Sequence, residues 1–217
     1  MTCRILSLPL AAVLCLGTTG YAAKPVAKPT KSSKKTTVQA APKVGKFTDV
    51  RNGKSYKTIV IGKQTWMAEN LNFPIPQSSC YESQKSNCEK FGRLYEWEAA
   101  KIACPTGWHL PTDDEWNTLE TGWETTDSAG RVLKSTSGWD ANGNGADTKG
   151  FCAIPAGNLD RRGIYTNQGS TADFWTASSR FGGGAISRHL NYEDNKLAKS
   201  SREKTNGLSV RCLRDGN

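Results

Sequence analysis

Asp140, Asn142, Asn144 and Asp147 set side-chain oxygens at near-alternate positions across Gly143 and Gly145. A calcium loop uses this pattern to wrap hard oxygen ligands around one ion. The place where an EF-hand supplies its bidentate glutamate is Phe151 here, and the other reading is a loop of Asx turns that satisfies its own backbone. Asn191, Glu193 and Asp194 form a second cluster of oxygen donors, read either as a ligand-binding surface or as a polar hairpin. Seven tryptophans stand at 66, 97, 108, 116, 123, 139 and 175, and an indole face suits the C–H-rich face of a sugar ring. Trp97, Trp116 and Trp175 fall on periodic segments and are assigned to the core. Trp123 and Trp139 fall at element ends or in loops and are the better stacking candidates, although for these too the core is the leading reading.

The cysteines suggest structure rather than reactivity. Cys80 and Cys88, eight positions apart in a polar stretch, make a natural local clip. Cys104 and Cys212 lie on elements expected to be neighbours, and closing so long a loop would stabilise by roughly 4–5 kcal/mol in the chain-entropy model. Cys152 is left over, and its setting Gly150-Phe-Cys-Ala-Ile favours a buried, inert thiol. No pair has CxxC spacing and neither His109 nor His189 lies near a cysteine pair, which argues against zinc. No Asp–His–Ser or Cys–His constellation occurs at recognisable spacing, so the expectation is a protein without nucleophilic machinery.

These residues need elements to position them. Phe47 to Val50, Asn52-Gly53 and Tyr56 to Ile61 predict a hairpin with a type I′ turn, since Asn-Gly tolerates positive φ at both positions. A second turn at Gly62-Lys63 leads into Thr65-Trp66-Met67, and Asn70 to Ser79 reads as loop. Leu94, Trp97, Ala100 and Ala103 have helical spacing over Arg93 to Ala103, and Pro105 ends that helix. Thr112-Asp-Asp-Glu115 is a capping box opening a second helix with Trp116, Leu119 and Trp123 as its apolar stripe. Phe174 to Ser178, Ala185 to Tyr192 and Leu208 to Leu213 alternate as strands. Strands, two helices, a long loop region and strands again make an α+β fold, two helices packed on short antiparallel sheets with long loops.

Composition divides the chain. Arg4, the apolar run Ile5 to Leu16 and the small residues at Gly20-Tyr-Ala22 read as a signal peptide over 1–22. The run is too short to span a membrane, and Leu14 stands where lipidation of Cys15 would need a small residue. Residues 23–46 are a Lys/Ala/Pro-rich tether without the apolar side chains that could offset ordering entropy. Of 29 Lys+Arg, seven lie in the tether and one in the signal, which leaves 21 basic against 20 acidic residues over 47–217. The basic balance is thus a property of the tether, and nucleic acid is not an expected partner. Residues 47–217 suffice for one domain with a core.

Specific motifs then carry a resemblance. Trp97-x-x-Ala100-x-x-x-Cys104, followed by Gly107, Leu110 and Glu115-Trp116, resembles the first half of C-type lectin-like domains. That resemblance implies a disulfide from Cys104 to a last-strand cysteine, which maps onto Cys212. Cys88-Glu-Lys-Phe-Gly-Arg-Leu-Tyr95, Cys104-Pro-Thr-Gly-Trp-His-Leu-Pro-Thr112, Gly150-Phe-x-Ala-x-Pro-Ala-Gly157, Phe174-Trp-Thr-Ala-Ser178 and Ser209-Val-Arg-Cys-Leu-Arg214 resemble the Fibrobacter major paralogous domain. That family occurs on exported bacterial proteins, so the resemblance implies export to the cell surface, the outer envelope and periplasm, or the medium. It also implies a non-catalytic module with polysaccharide, or a cell-surface protein, as partner. The calcium-holding Glu-Pro-Asn, Gln-Pro-Asp and Trp-Asn-Asp motifs of sugar-binding lectins are absent; no cofactor beyond calcium is expected. His109-Leu-Pro-Thr112-Asp-Asp-Glu115-Trp116 also resembles the helix start of formylglycine-generating enzymes, a distant alternative that requires a late redox-active cysteine pair. Only Cys212 stands there.

Overall fold

The computed structural model describes residues 43–121 and 126–216, leaving aside the side chains of 126–128. The expected signal segment, most of the expected tether and the candidate Trp123 lie outside the described residues. The first strand, β1 (Lys43–Thr48), takes in the last four residues of the expected tether and pairs with β2 (Ser55–Ile61), Lys43 facing Val60. It is a sheet edge with mostly exposed side chains, and its lysines suit an edge that must not recruit another strand. The turn between β1 and β2 is not type I′. Of Asn52 and Gly53 only Gly53 has positive φ, and its amide donates to the Asp49 carbonyl at 2.8 Å. The buried Asp49 carboxylate accepts from the Arg51 amide and guanidinium, so a longer, side-chain-braced turn replaces the two-residue one. At Gly62-Lys63 the expected tight turn joins β2 to β3 (Gln64–Met67).

After a loop come β4 (Ser78–Ser79), a 3-10 turn (Tyr81–Ser83) and α1 (Lys85–Phe91), then β5 (Leu94–Tyr95) and α2 (Trp97–Ala103). The expected Arg93–Ala103 helix is therefore shorter. Leu94 and Tyr95 form a strand that pairs with β4, and the helix begins at Trp97. Next are β6 (Trp108–His109), α3 (Asp113–Glu120) and α4 (Thr126–Leu133). The capping box at α3 is present as expected: the Thr112 hydroxyl accepts from the Glu115 amide, and the Glu115 carboxylate accepts from the Thr112 amide. Neither α1 nor α4 was anticipated. The first is polar without periodicity and is fixed by its disulfide; the second carries Gly130 in its interior, a poor helix former.

The rest is β7 (Ala156–Leu159), β8 (Tyr165–Gln168), β9 (Thr171–Ser179), β10 (Gly184–Asn191), β11 (Ala198–Glu203), β12 (Leu208–Ser209) and β13 (Leu213–Arg214). Two sheets result, one ordered β1-β2-β3-β13-β6 and one ordered β11-β10-β9-β12-β5-β4, with β7 also along β9 and β8 beyond it. The class is α+β, mostly sheet with few helices. The C-terminal run is not one strand. Its β12 belongs to one sheet and its β13 to the other, while the Val210 and Cys212 carbonyls accept from the Leu71 and Met67 amides between them.

Period-2 alternation feeds two cores at once. Trp66 and Phe174 enter a cluster with Trp116, Phe151, Leu133 and Trp139, while their neighbours Met67 and Trp175 enter another with Tyr95, Trp97, Trp108 and Val210. Both expected disulfides are present, Cys80–Cys88 and Cys104–Cys212, the latter closing a separation of 108 residues. An ion cluster seats α3 on β10: the Asp113 carboxylate accepts from Arg188 at 2.5 Å and from Lys199 at 2.5 Å. Burial pushes the Asp113 carboxyl up, but those two cations outweigh it and hold it below the ordinary value.

Candidate functional site

The oxygen-rich segments singled out in the sequence meet. A 3-10 turn over Asp140–Asn142, continuing through Gly143 to Asn144, forms one wall of a hollow of ≈ 340 Å³, and residues 192–195 after β10 form the other. The closeness of the walls is set by glycines. A Cβ on Gly143 would lie 2.5 Å from the Tyr192 carbonyl, and one on Gly130 of α4 would lie 2.6 Å from the Asn195 carbonyl carbon. Any other residue at either position would push the loops apart.

The second wall is built from local turns. The Asn191 side-chain oxygen accepts from the amides of Glu193 at 2.7 Å and Asp194 at 2.8 Å, and the Asp194 carboxylate accepts from the Lys196 amide at 2.9 Å. These are Asx turns, which shape the loop before any ligand arrives. Beneath lies Lys134, 1 % exposed, whose ammonium donates to the carbonyls of Asn191 at 3.0 Å and Asp194 at 2.8 Å and sits 5.2 Å from the Trp139 ring centre. Burial pulls the Lys134 ammonium below its ordinary value, opposed by the Asp194 charge. Desolvation pushes the Asp194 carboxyl up, but the Lys196 amide, Asn191 and the charges of Lys196 and Lys134 bring it lower overall. Exposed at the rim are Glu193, Asp194, Asn195, Asn142, Asn144 and Arg131, with the half-buried Tyr192 donating its hydroxyl to Glu193 at 3.1 Å. That hydrogen bond and the Glu193 charge hold the Tyr192 phenol above its ordinary value.

The calcium reading of 140–147 fares differently. The Asp140 carboxylate accepts from the Ser170 hydroxyl, the Asn144 oxygen from the Trp139 amide, and the Asp147 carboxylate from the Cys152 amide. Three side chains serve three separate donors, one of them thirty positions away, so they do not fit a shared calcium shell. Among the described residues no group of three or more His, Cys, Asp or Glu side chains is placed to hold a metal. The cation that the 191–195 loop does hold is the Lys134 ammonium. Trp139 is corrected as well: it is 5 % exposed, packed in a core, and its indole N–H donates to Ser135 and the Ala153 carbonyl. A loop tryptophan flanked by glycine turned inward because its ring fills the space under α4 and its N–H finds partners there. Tyr192, Lys134 and Arg131 were missed from the sequence. The one available signal was glycine inside a helical segment, which marks close backbone approach.

A second hollow, of ≈ 520 Å³, is lined by Lys57, Glu69, Phe91, Asp147, Cys152 and Arg211 among others. Arg211 is fully buried, donating to Asn70 and to the carbonyls of Met67, Phe151 and Cys152. Cys152 is free and half-buried rather than fully buried, and burial pushes its thiol up, so it is largely protonated at neutral pH. His189 Nδ1 donates to the buried Asp173 carboxylate, 2.9 Å away, and among the described residues no hydroxyl or thiol bonds its other nitrogen. Cys212 is bonded to Cys104 and is not available as a redox partner. No helix among the described residues is long and apolar enough to cross a membrane.

No curated protein and no solved structure matches the chain. The family model described as the Fibrobacter succinogenes major domain matches residues 59–214, which take in both sheets' central strands, both disulfides and the two polar walls of the hollow. By that match, over most of its length, the chain belongs to the Fibrobacter succinogenes major domain family.

Proposed function

We propose that the protein is an exported, non-catalytic C-type lectin-like module that recognises glycan or polysaccharide at the cell envelope or outside it. The observation that carries this reading is the hollow between residues 140–144 and 192–195. There two loops about fifty positions apart bring together Asn142, Asn144, Tyr192, Glu193 and Asp194 over a buried lysine. Planar amides and carboxylates can each engage two neighbouring hydroxyls, charge-assisted in the carboxylate case, and the Tyr192 ring offers a face for sugar C–H groups. The lectin-like reading is supported by the disulfide that ties the end of α2 to the segment just before β13, and export by the two disulfides. Binding in this reading needs no calcium, because Lys134 supplies the positive charge that braces the loop carbonyls.

A pull-down on insoluble polysaccharides, with and without a chelator, tests it. The expected result is binding that survives chelation and falls about tenfold or more in Glu193→Gln/Asp194→Asn, which keeps the Asx acceptors but removes charge-assisted bonds. Tyr192→Ala is expected to weaken it similarly. A wild-type protein that binds no glycan but co-purifies with an envelope protein would replace this reading with a protein partner. Loss of binding on chelation, with a matching fall in melting temperature, would restore a calcium site.

A further inference from the structure

Two hairpin tips lie at one end of the larger sheet, each bordering the last residues of β11. The β9–β10 turn carries Arg180, Phe181, Gly182 and Gly183, and Phe181 is 105 % exposed, as open as a side chain in an extended chain. The β7–β8 turn runs from Asp160 to Ile164, closed by the Asp160 amide on the Ile164 carbonyl at 2.9 Å, and Ile164 is 48 % exposed. Both tips border the same end of β11. Ser201, Arg202 and Glu203 line a hollow with Asp160, Arg161 and Arg162 on one side and a hollow with Arg180 to Gly184 on the other.

The charges around these apolar tips are mostly positive. Arg162 is spoken for by Asp160, and Arg202 by the buried Asp173. Arg161 and Arg180 have no carboxylate partner among the described residues, and Glu203 is the remaining acid at the rim. The apolar groups protrude, whereas a small ligand would need them to enclose it. An aromatic side chain held out from the surface beside unpaired guanidiniums matches a yielding interface with an apolar interior and anionic headgroups. A soluble acidic polysaccharide would satisfy the arginines but leave Phe181 in water.

We propose that these two tips dock the protein on an anionic lipid surface, with Phe181 and Ile164 inserting at headgroup depth and Arg161 and Arg180 engaging lipid phosphates. The site is separate from the glycan hollow, so a protein docked in this way leaves that hollow free. The lysines of residues 24–46 add a diffuse attraction common to every variant, and substitutions at the tips isolate the specific part.

The test is co-sedimentation of the full chain, without its signal segment, with vesicles of mixed phosphatidylglycerol and phosphatidylcholine and with phosphatidylcholine alone. The wild type is expected to prefer the mixed vesicles. Phe181→Ala is expected to lower partitioning about tenfold, the loss of one buried aromatic side chain. Arg161→Gln/Arg180→Gln is expected to remove most of the preference for phosphatidylglycerol, with melting temperatures unchanged in all variants. Equal partitioning of wild type and Phe181→Ala would overturn the proposal and leave the tether as the sole attraction. Binding to soluble polygalacturonate without binding to vesicles would overturn it in favour of an acidic polysaccharide.

Discussion

Two long-range closures of this domain use opposite chemistry. At one, the Cys104–Cys212 bond joins the end of α2 to the segment before β13, inside a core of aromatic and aliphatic side chains. At the other, the Lys134 ammonium reaches from the end of α4 to the carbonyls of Asn191 and Asp194 and holds the loop that walls the candidate site. A covalent bond constrains the unfolded chain and leaves its surroundings free to pack. A buried ammonium acts only in the folded state and must be repaid by its acceptors, since an unsatisfied buried charge is costly. The covalent closure can thus hold whatever the loops do. The ammonium couples the shape of the hollow to the fold around it.

The largest effect expected from breaking this contrast is at the disulfide. Cys104→Ala/Cys212→Ala should lower unfolding free energy by about 4 kcal/mol in urea titrations, with little change in the proposed glycan binding by the folded fraction. Loss of binding in step with stability would mean that the two regions are not separable. Next comes Lys134→Met, which keeps the packing of the stem but orphans two carbonyls, at a cost of about 2 kcal/mol. Here the measurement that matters is hydrogen exchange. Amides from Tyr192 to Leu197 should exchange faster while those of β3 and β13 stay protected. Uniform loss of protection, or none, would show that the Asx turns hold the loop without the lysine.

The smallest effect sharpens the scaffold side. His109 lies between Asp215, 2.5 Å from Nδ1, and Glu115, 2.9 Å from Nε2. Partial burial pushes its value down, but the two carboxylates outweigh that and raise it overall. A group whose value is raised on folding contributes fully below its unfolded value, about 6.5, and loses that contribution as pH rises through the folded value. His109→Gln should therefore cost stability at pH 5.5 and nothing measurable at pH 9. All three groups are about a third or more exposed, so the cost should be under about 1 kcal/mol. A cost equal at both pH values would assign His109 a packing role alone.

What the sequence made legible follows the same division. Cysteine spacing, the Thr112–Glu115 cap and the alternation of β9 and β10 are local signals whose physics is complete within a few residues or rests on residue type. The candidate site was half legible. Its oxygen donors at 140–147 and 191–195 stood out by type, but their meeting depends on Gly130 and Gly143 admitting backbone that arrives from far along the chain. Lys134 was hidden for a plainer reason. Lysine reads as surface, and its partners are carbonyls, which every residue has and which leave no mark on composition. Trp139 was hidden by its loop setting, although its ring and N–H are both buried. The split of Leu208 to Arg214 into two strands of different sheets was also invisible, because an alternating apolar run looks the same whichever sheet each half joins.

That split has a consequence in time. The short segment β12–β13 places its first half between β9 and β5 and its second half between β3 and β6, with Cys212 bonded to Cys104 in between. A chain synthesised from its N-terminus can therefore finish neither sheet, nor its long disulfide, until residues 208–214 have been made. Closure of both sheets and oxidation of that cysteine pair thus fall together, late in folding and in one short segment.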